Sequence, residues 1–221
     1  MTFQRARTDE QRDLRRRAIL DTVSSMLGEM PVAAVTLNEL SRRAGLAKPN
    51  VLRYFESREA ILLELLDRFL QDWLTELAGE LAAGVDEALP LAGRASAVAE
   101  ILSRSLSSRT TLCELFGAQY SVLEHNVSVE VVARYKRASL ERLTTMAALL
   151  QRYLPELGEQ AVLFSLQTMA TAGAVSAYST PPPSLQAAYA AEPDLARFHL
   201  EPDAYLRLAV TATLLGVLPR P

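Results

Sequence analysis

Apolar residues recur at intervals of three and four along nearly the whole chain, and no repeated segments of strict apolar/polar alternation bounded by turns occur. The pattern predicts an all-α protein. A first helix is expected from near Thr8, where Thr8 and Gln11 make a T-x-x-Q start, through Leu14, Ala18, Ile19, Val23 and Leu27 to Gly28. After a connection containing Pro31, Thr36 and Glu39 form a T-x-x-E capping box, in which the threonine hydroxyl accepts from the Glu39 amide and the carboxylate reaches back. This second helix should stop at Gly45, a residue suited to the left-handed conformation that follows a helix. Ala47 to Phe55 makes a third, short helix, with Pro49 in its first turn, where a missing N–H has no intrahelical partner. Ser57 opens a fourth, reaching about Ala82, in which Leu62, Leu66, Phe69, Trp73, Leu77 and Leu81 hold one face for about six turns.

The segment GVDEALPLAG, residues 84–93, is the best break in the chain. Beyond it, helices are expected near 94–107, 110–125, 128–154, 159–179 and 202–218, with an irregular PPPS-containing segment between the last two. Residues 161–191 carry no charge, but Ser165, Gln167, Thr168, Thr171 and Ser176 interrupt the run and Pro181 to Pro183 end it, so a buried helix is expected and no membrane span. The start of the chain has no apolar run that could serve as a signal peptide, which points to a cytoplasmic protein.

Charge divides the chain. Residues 1–60 carry a net +3 and residues 61–221 a net −6, which together give the overall −3. The first part can meet a polyanion and the rest cannot. Cys113 is the only cysteine, which excludes an intrachain disulfide and a cysteine-rich metal site. The two histidines, His125 and His199, lack metal-ligand spacing, and no nucleophile-elbow, phosphate-loop or dinucleotide motif is present. No cofactor, metal or catalytic residue is expected, and no enzyme.

Two short helices joined by a glycine-containing turn, with a helix before them, make a tri-helical helix-turn-helix unit whose second short helix enters the major groove of DNA. At about 100° per residue, Val51 and Phe55 point inward with Leu37, Leu40 and Ala44, while Pro49, Asn50 and Arg53 share the opposite face, flanked by Lys48, Leu52 and Tyr54.

Residues 12–66 resemble the DNA-binding domain of the tetracycline-repressor (TetR) family. The resemblance is carried by Arg17 with Ile19 and Leu20, Thr36, Leu40 with Ser41, Ala44-Gly45-Leu46, Lys48 to Phe55, and Ser57-Arg58-Glu59-Ala60-Ile61-Leu62. Leu52 stands where the family has a phosphate-contacting tyrosine, with Tyr54 two positions on, and Arg58 stands where the family usually has lysine. By its side-chain chemistry Arg53 is the candidate for bidentate contact with guanine, Asn50 for adenine or phosphate, and Lys48 for phosphate or guanine, and the resemblance does not choose among these roles. Pro49 can rest against a sugar or a thymine methyl. Thr36, Tyr54 and Arg58 are candidate phosphate contacts, with the amides at Thr36 and near Lys48. The arginines before Leu14 are expected in a disordered basic arm.

The chain is expected to divide into a helix-turn-helix domain over 1–56, a connecting helix over 57–83 and a ligand-binding and dimerisation domain over 84–221, and the resemblance implies that residues from about 67 onward form a helical domain that binds a small molecule and dimerises. It also implies a homodimeric, ligand-responsive repressor on a near-palindromic operator in double-stranded DNA. A helical carrier, an enzyme retaining a vestigial helix-turn-helix and a TetR-type activator are the alternatives. The segments 159–179 and 202–218, rich in small residues such as Gly173, Ala174, Ala212 and Gly216, allow the close packing of a dimer face. Trp73, Phe116, Tyr120, Met146, Phe164 and Met169 are the candidate lining of a cavity, two or three of them touching the ligand. The uncharged character of that set points to a mostly apolar effector.

Overall fold

The computed structural model describes residues 2–179, 182–198 and 201–219, with side chains from residue 10 onward except those of Ala196 and Phe198. Among these residues there are ten α-helices and no strand. The helices are α1 (Thr2–Leu27), α2 (Leu37–Ala44), α3 (Lys48–Leu52), α4 (Arg58–Gly84), α5 (Leu91–Ser107), α6 (Thr110–Ala118), α7 (Val129–Tyr153), α8 (Gln160–Ser179), α9 (Pro183–Ala191) and α10 (Pro202–Val217).

The local signals set the start and stop of the small N-terminal helices. Thr36 Oγ1 accepts the Glu39 amide at 3.2 Å, and Gly45 closes α2 at φ 62°, a left-handed conformation that carries no penalty for a residue without Cβ. Pro49 lies in the first turn of α3, whose cap residue Ala47 is extended. Ser57 caps α4 by accepting the Ala60 amide at 3.1 Å. Ile19, Val23, Leu40, Val51 and Phe55 then meet in one small core, against which Leu37 and Ala44 pack. On α4 the expected stripe is buried at Leu62, Leu66, Trp73, Leu77 and Leu81 and partly buried at Phe69.

In the larger part, α7 packs on α4 and α8, α6 on α8, and α10 on α5 and α8. The α6–α8 crossing is close because two glycines meet. A Cβ on Gly173 would stand 2.6 Å from the Gly117 nitrogen, and one on Gly117 would stand 2.9 Å from the Gly173 oxygen. Trp73 spans α4 and α5, its indole N–H donating to Ser105 Oγ at 3.1 Å.

Five expectations need correction. The first helix begins at Thr2, since nothing before Thr8 breaks it, so the early arginines belong to a helix and not to a disordered arm. The third helix ends at Leu52, where Tyr54 N–H turns back to the Val51 carbonyl at 2.9 Å, a tighter bond than α-geometry makes. The Glu39 carboxylate does not reach back to the cap but sideways to Arg42 and Arg43, at 2.6 and 2.8 Å. The helix expected over 110–125 is α only to Ala118, passing into a π-turn over Gln119–Leu123 and a 3-10 turn over Glu124–Asn126. The segment after the prolines holds α9, because Pro183 occupies a first turn, as Pro49 does, and starts a helix there. Pro181 lies outside the described residues.

Candidate nucleic-acid interface and effector cavity

Burial of Val51 and Phe55 fixes the rotation of α3, and that rotation exposes Lys48, Pro49, Asn50 and Arg53. Leu52 is 40% exposed beside them. Thr36 is exposed at the head of α2, and since its oxygen serves as the cap acceptor, the hydroxyl hydrogen remains to donate. Tyr54 is half-buried against the core, and its carbonyl accepts Arg16 Nη1 at 2.8 Å. The guanidinium of Arg16 lies 4.1 Å from the centre of the Phe55 ring and pairs with Glu64 of α4. Arg16 thus fastens the end of the recognition segment to both long helices, by packing as well as by charge.

Arg58 departs from its expected place at the phosphates. Its Nε and Nη2 donate to the carbonyls of Val35 and Val32, and Nη1 reaches Glu59 at 3.1 Å. An arginine that fills its donor fork with interior carbonyls is a clamp on the α1–α2 connection. In its place the structure brings Arg12, expected in a disordered arm, and Arg15, which sequence reasoning passed over. Arg12 and Arg15 of α1 share a groove of about 880 Å³ with Gln11, Arg53 and Tyr54. The signal was their spacing of three, which puts both on one helix face.

Among the described residues, three hydrogen bonds tie the N-terminal helices to the part beyond α4. Glu114 of α6 accepts the Val32 N–H at 3.0 Å, Thr111 Oγ1 donates to the Leu27 carbonyl at 3.3 Å, and Glu56 accepts the Ser128 N–H at 2.6 Å. Val32 is therefore held from both sides, its N–H by α6 and its carbonyl by Arg58.

The six residues expected around a ligand separate into two groups. Trp73, Met146 and Phe164 are packed in the core with at most 1% of their surface exposed. Phe116, Tyr120 and Met169 line one cavity of about 200 Å³ between α4, α6, α7 and α8. The two groups share residue types and differ only in which way the helix turns them. The lining also includes Lys136, Tyr135, Ser139 and Gln119, so it is not the uncharged set expected. Among the described residues no group of three or more His, Cys, Asp or Glu is placed to hold a metal ion, and no helix is long and apolar enough to cross a membrane. His199 lies outside the described residues. Cys113 is buried, and loss of hydration pushes its thiol up to about 12, with Arg109 opposing the shift.

A capped helix-turn-helix with a basic outward face, carried on a larger helical domain that holds a cavity, defines a two-domain regulatory protein. Comparison with known families gives the same class. Residues 19–65 match the family described as "Bacterial regulatory proteins, tetR family", and residues 67–221 match "Tetracyclin repressor-like, C-terminal domain". The chain belongs to the TetR family of transcriptional regulators, which are not enzymes. The HTH-type transcriptional regulator EthR of Mycobacterium tuberculosis (strain ATCC 25618 / H37Rv) is 43% identical over 56 residues, 25% of this chain. That match spans 26% of EthR, about a quarter of its length. Among solved structures, the fatty acid degradation regulator FadR from Bacillus halodurans has the same fold at a TM-score of 0.52 and 12% identity, over 93% of this chain and 97% of that one. FadR from Bacillus subtilis, solved in complex with stearoyl-CoA, has a TM-score of 0.52 and 12% identity over 91% and 98% of the two chains.

Proposed function

We propose that the protein is a cytoplasmic, homodimeric repressor that binds a near-palindromic operator in double-stranded DNA and releases it when a small, mostly apolar effector occupies the larger domain. The observation that carries this is the exposed row Lys48, Pro49, Asn50 and Arg53 on a short helix whose opposite face is locked into the core. In such a dimer the two copies of α3 enter successive major grooves about 34 to 36 Å apart. Arg53 and Asn50 read base edges, while Lys48, Thr36, Tyr54, Arg12 and Arg15 position the backbone.

The division of labour follows the chain: a reader over 1–56, a connecting helix over 57–83, and an effector and dimer domain over 84–221. Support for the dimer comes from α8 and α10, which pack on each other and leave Leu163, Leu208 and Leu215 exposed, the last two at 66% and 60%. Apolar side chains in such a row on paired helices need a partner surface, and a second copy forms a four-helix bundle there. The effector acts through its unequal affinity for two dimer conformations, of which one has the wrong spacing for the operator.

The test is selection of fragments bound by the full chain from the genomic DNA of its own organism. Enrichment of one near-palindromic sequence is the expected result. Recovery without sequence enrichment would overturn the regulator assignment.

A further inference from the structure

We propose that the effector is a small amphiphile with a carboxylate head, seated with its apolar body in the cavity beside Phe116 and its head on Lys136. This rests on reading residues 84–221 as an effector domain.

The inner wall of the cavity is hydrocarbon and thioether: Leu70, Phe116, Leu143 and Met169, from four different helical segments. Such a wall takes an apolar body and gives it no hydrogen bond. The polar groups of the lining gather in two neighbouring segments, Gln119 and Tyr120 on the π-turn and Tyr135, Lys136 and Ser139 on α7. Only one of them is ionic at neutral pH, and it is a cation. Its counter-ion, Glu124, is not part of the lining. One Glu124 oxygen accepts Lys136 Nζ at 2.7 Å and Gln119 Nε2 at 2.8 Å, so it draws both side chains into a common position at the rim.

The ammonium has three donors, and Glu124 accounts for one of them. It lies 5.0 Å from the centre of the Tyr120 ring, and that ring is half exposed. With 44% of its side chain accessible, Lys136 can turn from Glu124 to a ligand without disturbing the core. An acceptor of full negative charge gains most from the exchange. A neutral head makes a weaker bond to the same ammonium, and a cationic head meets like charge. A volume of about 200 Å³ at native packing density holds roughly ten non-hydrogen atoms, the size of octanoate.

Isothermal titration of the full chain with sodium octanoate, octan-1-ol and octylamine at one ionic strength tests the assignment. Octanoate is expected to bind at least tenfold more tightly than octanol, and octylamine more weakly than either. Lys136→Met should bring octanoate down to the level of octanol while lowering octanol far less, and the octanol binding that persists shows that the variant is folded. Glu124→Gln, which removes the competing carboxylate, should tighten octanoate. Equal binding of the three, or a preference for octylamine, overturns the carboxylate head. Leu143→Trp, which fills the cavity, separates the two levels: if it abolishes octanol binding, the cavity stands whatever the head group. If none of the three probes binds, or octanol binding survives the tryptophan, the effector cavity falls together with the proposal.

Discussion

Glu114 accepts the backbone N–H of Val32 at 3.0 Å, and this bond joins a helix that lines the cavity of about 200 Å³ to the connection between α1 and α2. Truncation to Glu114→Ala leaves a buried residue's N–H without its charged acceptor. The expected cost is about 1 to 3 kcal/mol, concentrated on one amide. Hydrogen exchange at Val32 should accelerate while amides in the middle of α8 keep their protection. Unchanged exchange at Val32 would show that the bond does not hold that turn.

Two arginines five residues apart should fail in opposite ways. Arg53 is exposed and Arg58 donates inward to Val32 and Val35. Arg53→Ala should therefore cost about 1 to 3 kcal/mol in operator affinity, relax one base position, and leave thermal unfolding in place. Arg58→Ala should lower the unfolding temperature. Equal loss of stability in the two variants would refute the distinction. On the same face, Arg12→Ala or Arg15→Ala should weaken binding to all sequences alike and reduce the salt dependence by about one unit of slope.

The contrast between those arginines shows where sequence reasoning stops. Thr36, Gly45, Pro49 and Ser57 act on backbone groups within a few residues, so their roles could be read from order alone, and each does what its neighbours predict. Arg58 acts on carbonyls 23 and 26 residues away, and nothing beside it in the chain says whether its long side chain turns inward or out. The cavity has the same difficulty. Phe116 and Phe164 are both aromatic residues in apolar helices, yet only the first lines it, because facing is decided by how helices pack and not by residue type. The π-turn over Gln119–Leu123 contains no glycine or proline to announce it.

Packing at the α6–α8 crossing gives a prediction of sign. Gly173→Ala places a methyl group 2.6 Å from the Gly117 nitrogen, which α6 can relieve only by moving away, and should destabilise by about 1 to 3 kcal/mol. Gly79 is exposed in the interior of α4 with open space around it, so Gly79→Ala should stabilise by about 0.5 to 1 kcal/mol through helix propensity. Chemical denaturation of the two variants checks both signs.

A charge on α10 should dissolve the dimer proposed above. Leu208 is 66% exposed, so Leu208→Glu is no burden on a folded monomer but buries a carboxylate in the bundle of two copies. Sedimentation should show a monomer with native helix content and lost operator binding. Dimers of undiminished strength would place the interface elsewhere.

The Glu39 carboxyl is held down to about 2, first by its hydrogen bond from Arg42 and then by that from Arg43. Because the folded value lies below the ordinary 4.5, the contribution of the pair to stability is complete above that pH and disappears as the pH falls through about 2. A carbon-detected titration of Glu39 should find no inflection above about 3. An inflection near the ordinary value would mean that the arginines are elsewhere in solution.

Helix α6 is only nine residues long, and it is used on both sides. Phe116, with Gln119 and Tyr120 of the turn that follows, faces the cavity, while Glu114 and Gly117 face the junction with the DNA-facing part. On the effector reading proposed above, exchange of residues in the first set would change which compound the cavity takes, while the second set would keep the junction as it is.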